Sequence, residues 1–454
     1  MKKNKLPLWL FGGILFLLTS CLGNNDTQMD EWNLSNCQIM TFSLSCDSIP
    51  GLSDVKFTID QLSGQIYNRD SMPYGTSINF KAICNISYAA GTITSVEVHQ
   101  KATGTKAYWN GKDSLDFAGE VEFYIISYDG KASKTYTAKL NVHQQHPDVM
   151  TWSLDTGLPP ASGATDRKVI AHGDSYRMYV RSSNGYELYE SSAPSANNWT
   201  QTSLTGLQDK TFTLSQMTGY EGNLYLPSSE GALYRSADGQ EWTVVDGAPE
   251  IAALLGAVQA SEELGRPSAL AALVRNSSTW QFAVMNAYAQ WQEGTEAPAE
   301  FPVTGFASNS YKKMYYSHLT TVAGKDRNGA LSSKSWDTMD GLAWICLTAG
   351  EKNYFAQREG GMLADYDSKL YLIGGINASN QGLSDIYTSA DKGVTWALAD
   401  SLTFLPETFQ GRGYASIVVD KDNFMLLFGG KERNGASLSD ELWRGRINRL
   451  GYKD

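Results

Sequence analysis

Lys369-Leu-Tyr-Leu-Ile-Gly-Gly375 is followed by a polar loop at 376–383 and then by Ser384-Asp-Ile-Tyr-Thr-Ser-Ala-Asp-Lys-Gly-Val-Thr-Trp396. Two β-rich runs flank a Gly-Gly pair and a turn rich in Asn, Gly and Ser. A corner at Asp391-Lys-Gly393 then introduces a third run, led by Trp396. Short β-forming runs punctuated in this way spell antiparallel strands. Weaker copies recur in both directions, so the chain is built on a repeat.

Tryptophans leading such runs stand at Trp152, Trp199, Trp242, Trp291, Trp344 and Trp396, spaced 43 to 53 residues apart. Eight to eleven residues before each of the last five comes a second aromatic: Tyr189, Tyr234, Trp280, Trp336 and Tyr387. Between the two lies a turn, best kept in Ser236-Ala-Asp-Gly-Gln-Glu-Trp242 and Thr338-Met-Asp-Gly-Leu-Ala-Trp344. A unit of about 50 residues holding four strands has the size of a β-propeller blade. The sixth unit begins at Gly411, carries Trp443 where Tyr387 stood, and is one strand short at Asp454. The strand at Trp152, conversely, has no unit before it. The expected fold of 149–454 is therefore a six-bladed β-propeller closed by that strand, which leaves no exposed edge between first and last blade.

A second repeat supports the count. Gly324-Lys-Asp-Arg-Asn-Gly-Ala-Leu-Ser332 nearly copies Gly430-Lys-Glu-Arg-Asn-Gly-Ala-Ser-Leu-Ser439, and both are expected to join second to third strands. Gly374, Gly375, Gly429 and Gly430 end second strands, where torsions open mainly to glycine are expected.

The arginine near strand one, Leu-Tyr-Leu-Ile-Gly-Gly and the following Tyr and Trp resemble the kelch repeat of the galactose-oxidase central domain. The resemblance is good over the fifth and sixth units. Ser389-x-Asp391-x-Gly393-x-Thr395-Trp396 is also similar to the Asp-box of sialidase-like propellers, which implies a structural turn whose aspartate bonds backbone amides.

Residues 36–146 show period-two runs broken by turns, the signature of a β-sandwich. Asp70-Ser-Met-Pro-Tyr-Gly75, Asp113-Ser-Leu-Asp-Phe117 and Tyr128-Asp-Gly130 resemble the immunoglobulin-like modules of bacterial surface lipoproteins, which implies a spacer. Cys46 and Cys84 share inward parity with their apolar neighbours, so a disulfide and two buried thiols both fit. His143 and His146 read as linker before Pro147, since no further metal ligand stands near.

Residues 1–21 form a leader. Lys2, Lys3 and Lys5 precede an apolar run at 6–18 too short to span a membrane comfortably, and Leu18-Thr-Ser-Cys21 resembles a bacterial lipobox. That resemblance implies lipidation of Cys21, and residues 22–35 then read as a flexible tether. Leader, sandwich and propeller together resemble surface lipoproteins of Bacteroidota. The expected address is the outer membrane, lipid-anchored, at the cell surface.

With 48 acidic against 37 basic residues and a net charge of −11, the chain has no basic tract for nucleic acid. Chemistry is hard to place. A copper-radical oxidase needs two Tyr and two His near the axis, and the propeller holds only His172 and His318, on different units. Asp166, Glu359 and Glu407 lie near inner-strand entrances, as glycoside hydrolysis by paired carboxylates would require, but an acidic propeller supplies such residues by chance. Arg167, Arg358 and Arg412 stand at or before first strands of contiguous units and are the candidate ligand-binding residues, able to grip a carboxylate or sulfate. The competing reading is that they bond carbonyls and carboxylates of the propeller itself. Tyr311, Tyr354 and Tyr414 offer stacking faces for a sugar. The function expected is non-enzymatic binding of a glycan or protein, without cofactor or metal and with no catalytic residue assigned; assembly with an outer-membrane import complex is a further option. The alternative is a polysaccharide hydrolase or lyase using the axial pocket.

Overall fold

The computed structural model describes residues 34–159, 163–193, 196–276, 279–348, 350 and 354–451. Cys21 and the leader lie outside the described residues. The chain divides into two compact units between His146 and Pro147. Both are built from β-strands.

In the first unit a three-stranded sheet orders Ile39–Ser45, Lys81–Tyr88 and Leu115–Asp116. A six-stranded sheet orders Phe57–Asp60, Gln65–Asn68, Ser133–Lys139, Val121–Ser127, Ile93–Gln100 and Thr105–Tyr108. Inward residues of both, such as Phe42, Leu44, Val98, Phe123 and Tyr136, form one core. Cys84 sits opposite Leu44 in that core and Cys46 at its margin. Both are free thiols, and burial pushes the Cys84 thiol up to about 12. The Tyr128-Asp-Gly130 turn is held by Asp129, which accepts from the Ser127 hydroxyl and the Lys131 amide.

The second unit contains, among the described residues, six four-stranded antiparallel sheets. Their first strands are Ala164–His172, Thr218–Tyr220, Ile251–Val258, Ala307–Lys313, Met362–Tyr366 and Ser416–Val419. The sixth sheet continues through Met425–Phe428 and Glu441–Ile447, and its fourth strand is Met150–Thr156. Trp152 lies opposite Gly445 there, as the repeat required. A Cβ at Gly445 would come within 2.4 Å of the Trp152 ring.

Each sheet shares one core with the sheet before it and another with the sheet after. Leu370 and Leu372 of the fifth sheet join Tyr311 and Val322 of the fourth, while their neighbours Tyr371 and Ile373 join Met425 and Leu427 of the sixth. Leu426 and Phe428 in turn pack with Val169 and Met178 of the first sheet. Successive side chains of a strand point to opposite faces, and here both faces are covered, so second strands read as continuous apolar runs. At about 25 cal/mol per Å² of buried apolar surface, these inter-sheet layers dominate the stability of the unit.

The turns before the fourth strands of the second, fourth and fifth sheets are fixed by their aspartates. Asp391 accepts from the Thr395 amide at 2.8 Å and its hydroxyl at 2.6 Å, and from the Ser389 hydroxyl. Asp238 and Asp340 repeat the pattern with the amides two and three residues on. Trp396 then donates its indole N–H to the Ser335 hydroxyl of the preceding sheet at 2.8 Å.

Candidate functional site

The first strands of all six sheets border one half-open cavity of about 420 Å³. Its polar lining includes Asp166, Lys168, Ser215, Gln259, Asn309, Tyr414 and Ser416. A second, more open pocket of about 480 Å³ is bordered by Lys325, Gln357, Glu359, Asn377, Asn380 and Asn434.

The three candidate arginines frame this region from within. Arg358 is 0 % exposed and donates to the carbonyls of Ala356 and Gly374 and, bidentately, to Asp385 at 2.6 and 3.0 Å. Arg412, 3 % exposed, repeats the geometry with Gln410 O, Gly429 O, Ser439 Oγ and Glu441. Arg167, 4 % exposed, reaches Pro159 O, Ser439 O and Asp440. Arg167 and Arg412 thus meet at Ser439, while Arg358 does the same work in the fifth sheet. The expectation that their guanidinium groups grip a ligand is corrected by this burial: their hydrogen bonds are made to the propeller's own carbonyls and carboxylates. Gly375 and Gly429 leave room for Arg358 and Arg167: at φ 116° and 64°, a Cβ would come within 3.1 Å of Arg358 Cδ at the first and 3.0 Å of Arg167 Nη1 at the second.

Tyr414 closes the side of the cavity toward Glu359. Laying Arg412 on Arg358 sets Tyr414 on Gly360, and the fourth sheet has Gly305 in the corresponding place. All three residues share the left-handed conformation, φ 61°, 63° and 58° for Gly305, Gly360 and Tyr414. They are linked by backbone bonds from Gly360 N to Gly305 O (2.6 Å) and from Tyr414 N to Gly360 O (2.7 Å). A bulky residue here bears strain on the order of 1–2 kcal/mol. The two glycines, in exchange, make the cradle that its ring crosses: Cβ atoms would lie 2.5 Å from the ring at Gly360 and 2.9 Å from the hydroxyl at Gly305.

The Tyr414 hydroxyl donates to Glu359 Oε2 at 2.6 Å, and Lys325 Nζ and Asn434 Nδ2 donate to Oε1 at 2.7 and 2.8 Å. Burial pushes the Glu359 carboxyl up, but Lys325, Tyr414 and Asn434 more than offset it and hold it below the usual range. Desolvation, then the Glu359 carboxylate, raises the Tyr414 phenol, so it stays neutral. Among the described residues Asp166 accepts only the Arg167 amide, at 2.9 Å, and desolvation raises its carboxyl. Lys168, two residues on and partly exposed to the cavity, is crowded by the surrounding sheets, and desolvation lowers its ammonium.

Other candidates disperse. Glu407 is exposed in a turn and does not border the cavity. Tyr311 is buried, stacked on His318 at 5.1 Å. Cys346 stands in the outer strand Ile345–Cys346. Lys168, Lys325, Lys431 and Asn434 were not singled out from the sequence, although the last three lie in the near-copied loops that advertised them.

A fold of repeated four-stranded sheets around a polar cavity defines a β-propeller domain preceded by a smaller β domain. Residues 146–454 match the DUF6242 beta propeller domain, and residues 33–140 match the N-terminal domain of the same domain of unknown function. The chain belongs to this family. Among solved structures it is similar to "Structure of YjhT", with 14% identity and a TM-score of 0.46, over 64% of this chain and 96% of that one. No curated protein matches it.

Proposed function

We propose that the chain is a lipid-anchored envelope protein whose second unit is a closed six-bladed, kelch-like propeller that binds a glycan or protein outside the cell without transforming it. The six inter-sheet cores, the sixth sheet's with the first included, support the closed ring. The leader and Cys21 support outer-membrane anchoring at the surface, and the strand pattern of the first unit supports an immunoglobulin-like spacer. Fold alone does not fix function. The observation that carries the binding reading is the state of the Tyr414–Glu359 pair. The carboxylate is tied by three donors, one of them the phenol whose proton is thereby committed, so neither is free to act as nucleophile or general acid.

Asp166 and Glu359 favour a second reading. Their environments push two carboxyls apart, one up and one down, as in an acid/base pair of a hydrolase or lyase. A glycan array combined with a turnover screen on the full chain in detergent separates the two. Retention without product supports binding; product formation abolished by Asp166→Asn would overturn it. Co-purification with an outer-membrane importer tests the partner.

A further inference from the structure

We infer that the part of the axial cavity between the sixth and first sheets takes an anionic sugar, its carboxylate held by Lys168 in the positive field of Arg181 and Lys431 and one hydroxyl accepted by Asp166. This rests on the binding reading above and names its ligand class.

Asp166 and Lys168 border the cavity; Arg181 and Lys431 flank Asp166 without bordering the cavity. Lys168 follows Asp166 by two residues on the same face of the first strand. Arg181 is its cross-strand partner, and Lys431 acts on its carboxyl from the sixth sheet. Among the described residues none of the three makes an ion pair or a side-chain hydrogen bond; Lys431 instead lies 4.4 Å from the Tyr414 ring centroid. One carboxylate among three cations leaves two positive charges uncompensated, in a chain whose net charge is −11. Crowding an ammonium beside a carboxylate it shares with two other cations is costly, and an anion entering the cavity offsets that cost.

The remaining lining selects a sugar over a bare anion. Asp166 repels a ligand that only accepts hydrogen bonds but receives a hydroxyl. The side chains of Gln259 and Ser215, which make no hydrogen bond among the described residues, can serve others. At about 420 Å³ the cavity is near the small end of ligand sites, roughly 300–1,000 Å³, and suits a single terminal residue of a glycan.

Calorimetry on the full chain in detergent, with D-glucuronate, D-glucose and sodium sulfate as probes, tests this. Glucuronate is expected to bind, with glucose and sulfate each about tenfold weaker or more. Lys168→Gln should weaken glucuronate about tenfold, the loss of one charged hydrogen bond, and Lys431→Gln several-fold through the lost field, neither lowering the melting temperature. Equal affinity for glucose, undiminished binding by both variants, or equal binding of sulfate would overturn the inference. Glucose binding as well as glucuronate would leave the glycan-binding reading standing. Turnover of a glucuronate-capped oligosaccharide would remove the non-enzymatic reading and leave the anion site. Absence of binding by any sugar would refute the anionic-sugar site, and capture of a protein partner in its place would preserve the broader reading.

Discussion

The junction between the fourth and fifth sheets and the one between the sixth and first use nearly the same loop and end in opposite electrostatic states. In the first, Lys325 meets Glu359 at 2.7 Å, and Tyr414 and Asn434 complete the carboxylate's shell. In the second, the matching Lys431 lies over Tyr414 and forms no ion pair with Asp166, which keeps a single backbone donor. A shared loop therefore does not imply a shared role. One copy is a closed internal clamp; the other leaves its lysine against Tyr414, which borders the cavity.

The comparison assumes that both junctions stand on the same frame of buried arginines. Arg358→Ala and Arg412→Ala should each cost about 3–5 kcal/mol in equilibrium denaturation, because each strands a carboxylate and several carbonyls. A loss under about 1 kcal/mol at Arg412 alone would mean that the open junction lacks this support.

The clamp itself is probed one step down. Glu359→Gln should cost about 1–3 kcal/mol, since it leaves Lys325 with a neutral partner in a half-buried place. Asp166→Asn removes a desolvated charge but also the one carboxylate that three cations share, so it should cost less than Glu359→Gln. Equal losses at the two positions would erase the distinction.

Acid and alkali should then separate the groups by sign. Glu359, depressed in the fold, contributes stability present above its unfolded pKa of about 4.3 and lost as pH falls through its folded value. Asp166, raised in the fold, contributes stability present below about 3.9 and lost as pH rises through its folded value. Lys168, lowered in the fold, destabilises while charged, and that penalty is relieved as pH rises from its folded value toward about 10.4. Denaturation of Glu359→Gln should flatten the acid limb, and Asp166→Asn should remove the opposing slope, each by up to about 1.4 kcal/mol per pH unit.

The sheets were legible because their signals are local. Leu370 to Ile373 form an apolar run because alternate residues enter cores on both sides, and Trp242, Trp344 and Trp396 each follow an aspartate turn within a few residues. The strand at Trp152 was found across nearly 300 residues only because the repeat left one place unfilled. In the first unit, Gln65–Asn68 and Thr105–Tyr108 escaped notice: the first is four residues long, and the second is exposed throughout, so burial imposes no alternation on it. The arginines show the limit for sites. Their positions at the inner strand ends were readable, but whether a guanidinium turns toward solvent or into the sheet depends on the space left by Gly375 and Gly429. Lys325 and Lys431 differ through partners in the next sheet, which no local pattern records.

The smallest expected effect bears on why Tyr414 occupies a glycine's conformation. Were the residue only structural, glycine would suit φ 58° better, as it does at Gly305 and Gly360. Tyr414→Phe keeps the ring in its cradle and removes only the bond to Glu359, so it should cost about 0.5–1.5 kcal/mol. Tyr414→Gly relieves the backbone strain of about 1–2 kcal/mol but loses the ring's contacts with Gly360 and Lys431, so the two changes should roughly cancel. The discriminating readout is glucuronate binding at matched stability. If the ring positions Lys431, Tyr414→Phe should bind nearly as the parent does, whereas Tyr414→Gly should bind several-fold more weakly. Equal binding by both would show that the Lys431 ammonium finds the ligand without the ring, and that the strain at Tyr414 serves the Glu359 clamp alone.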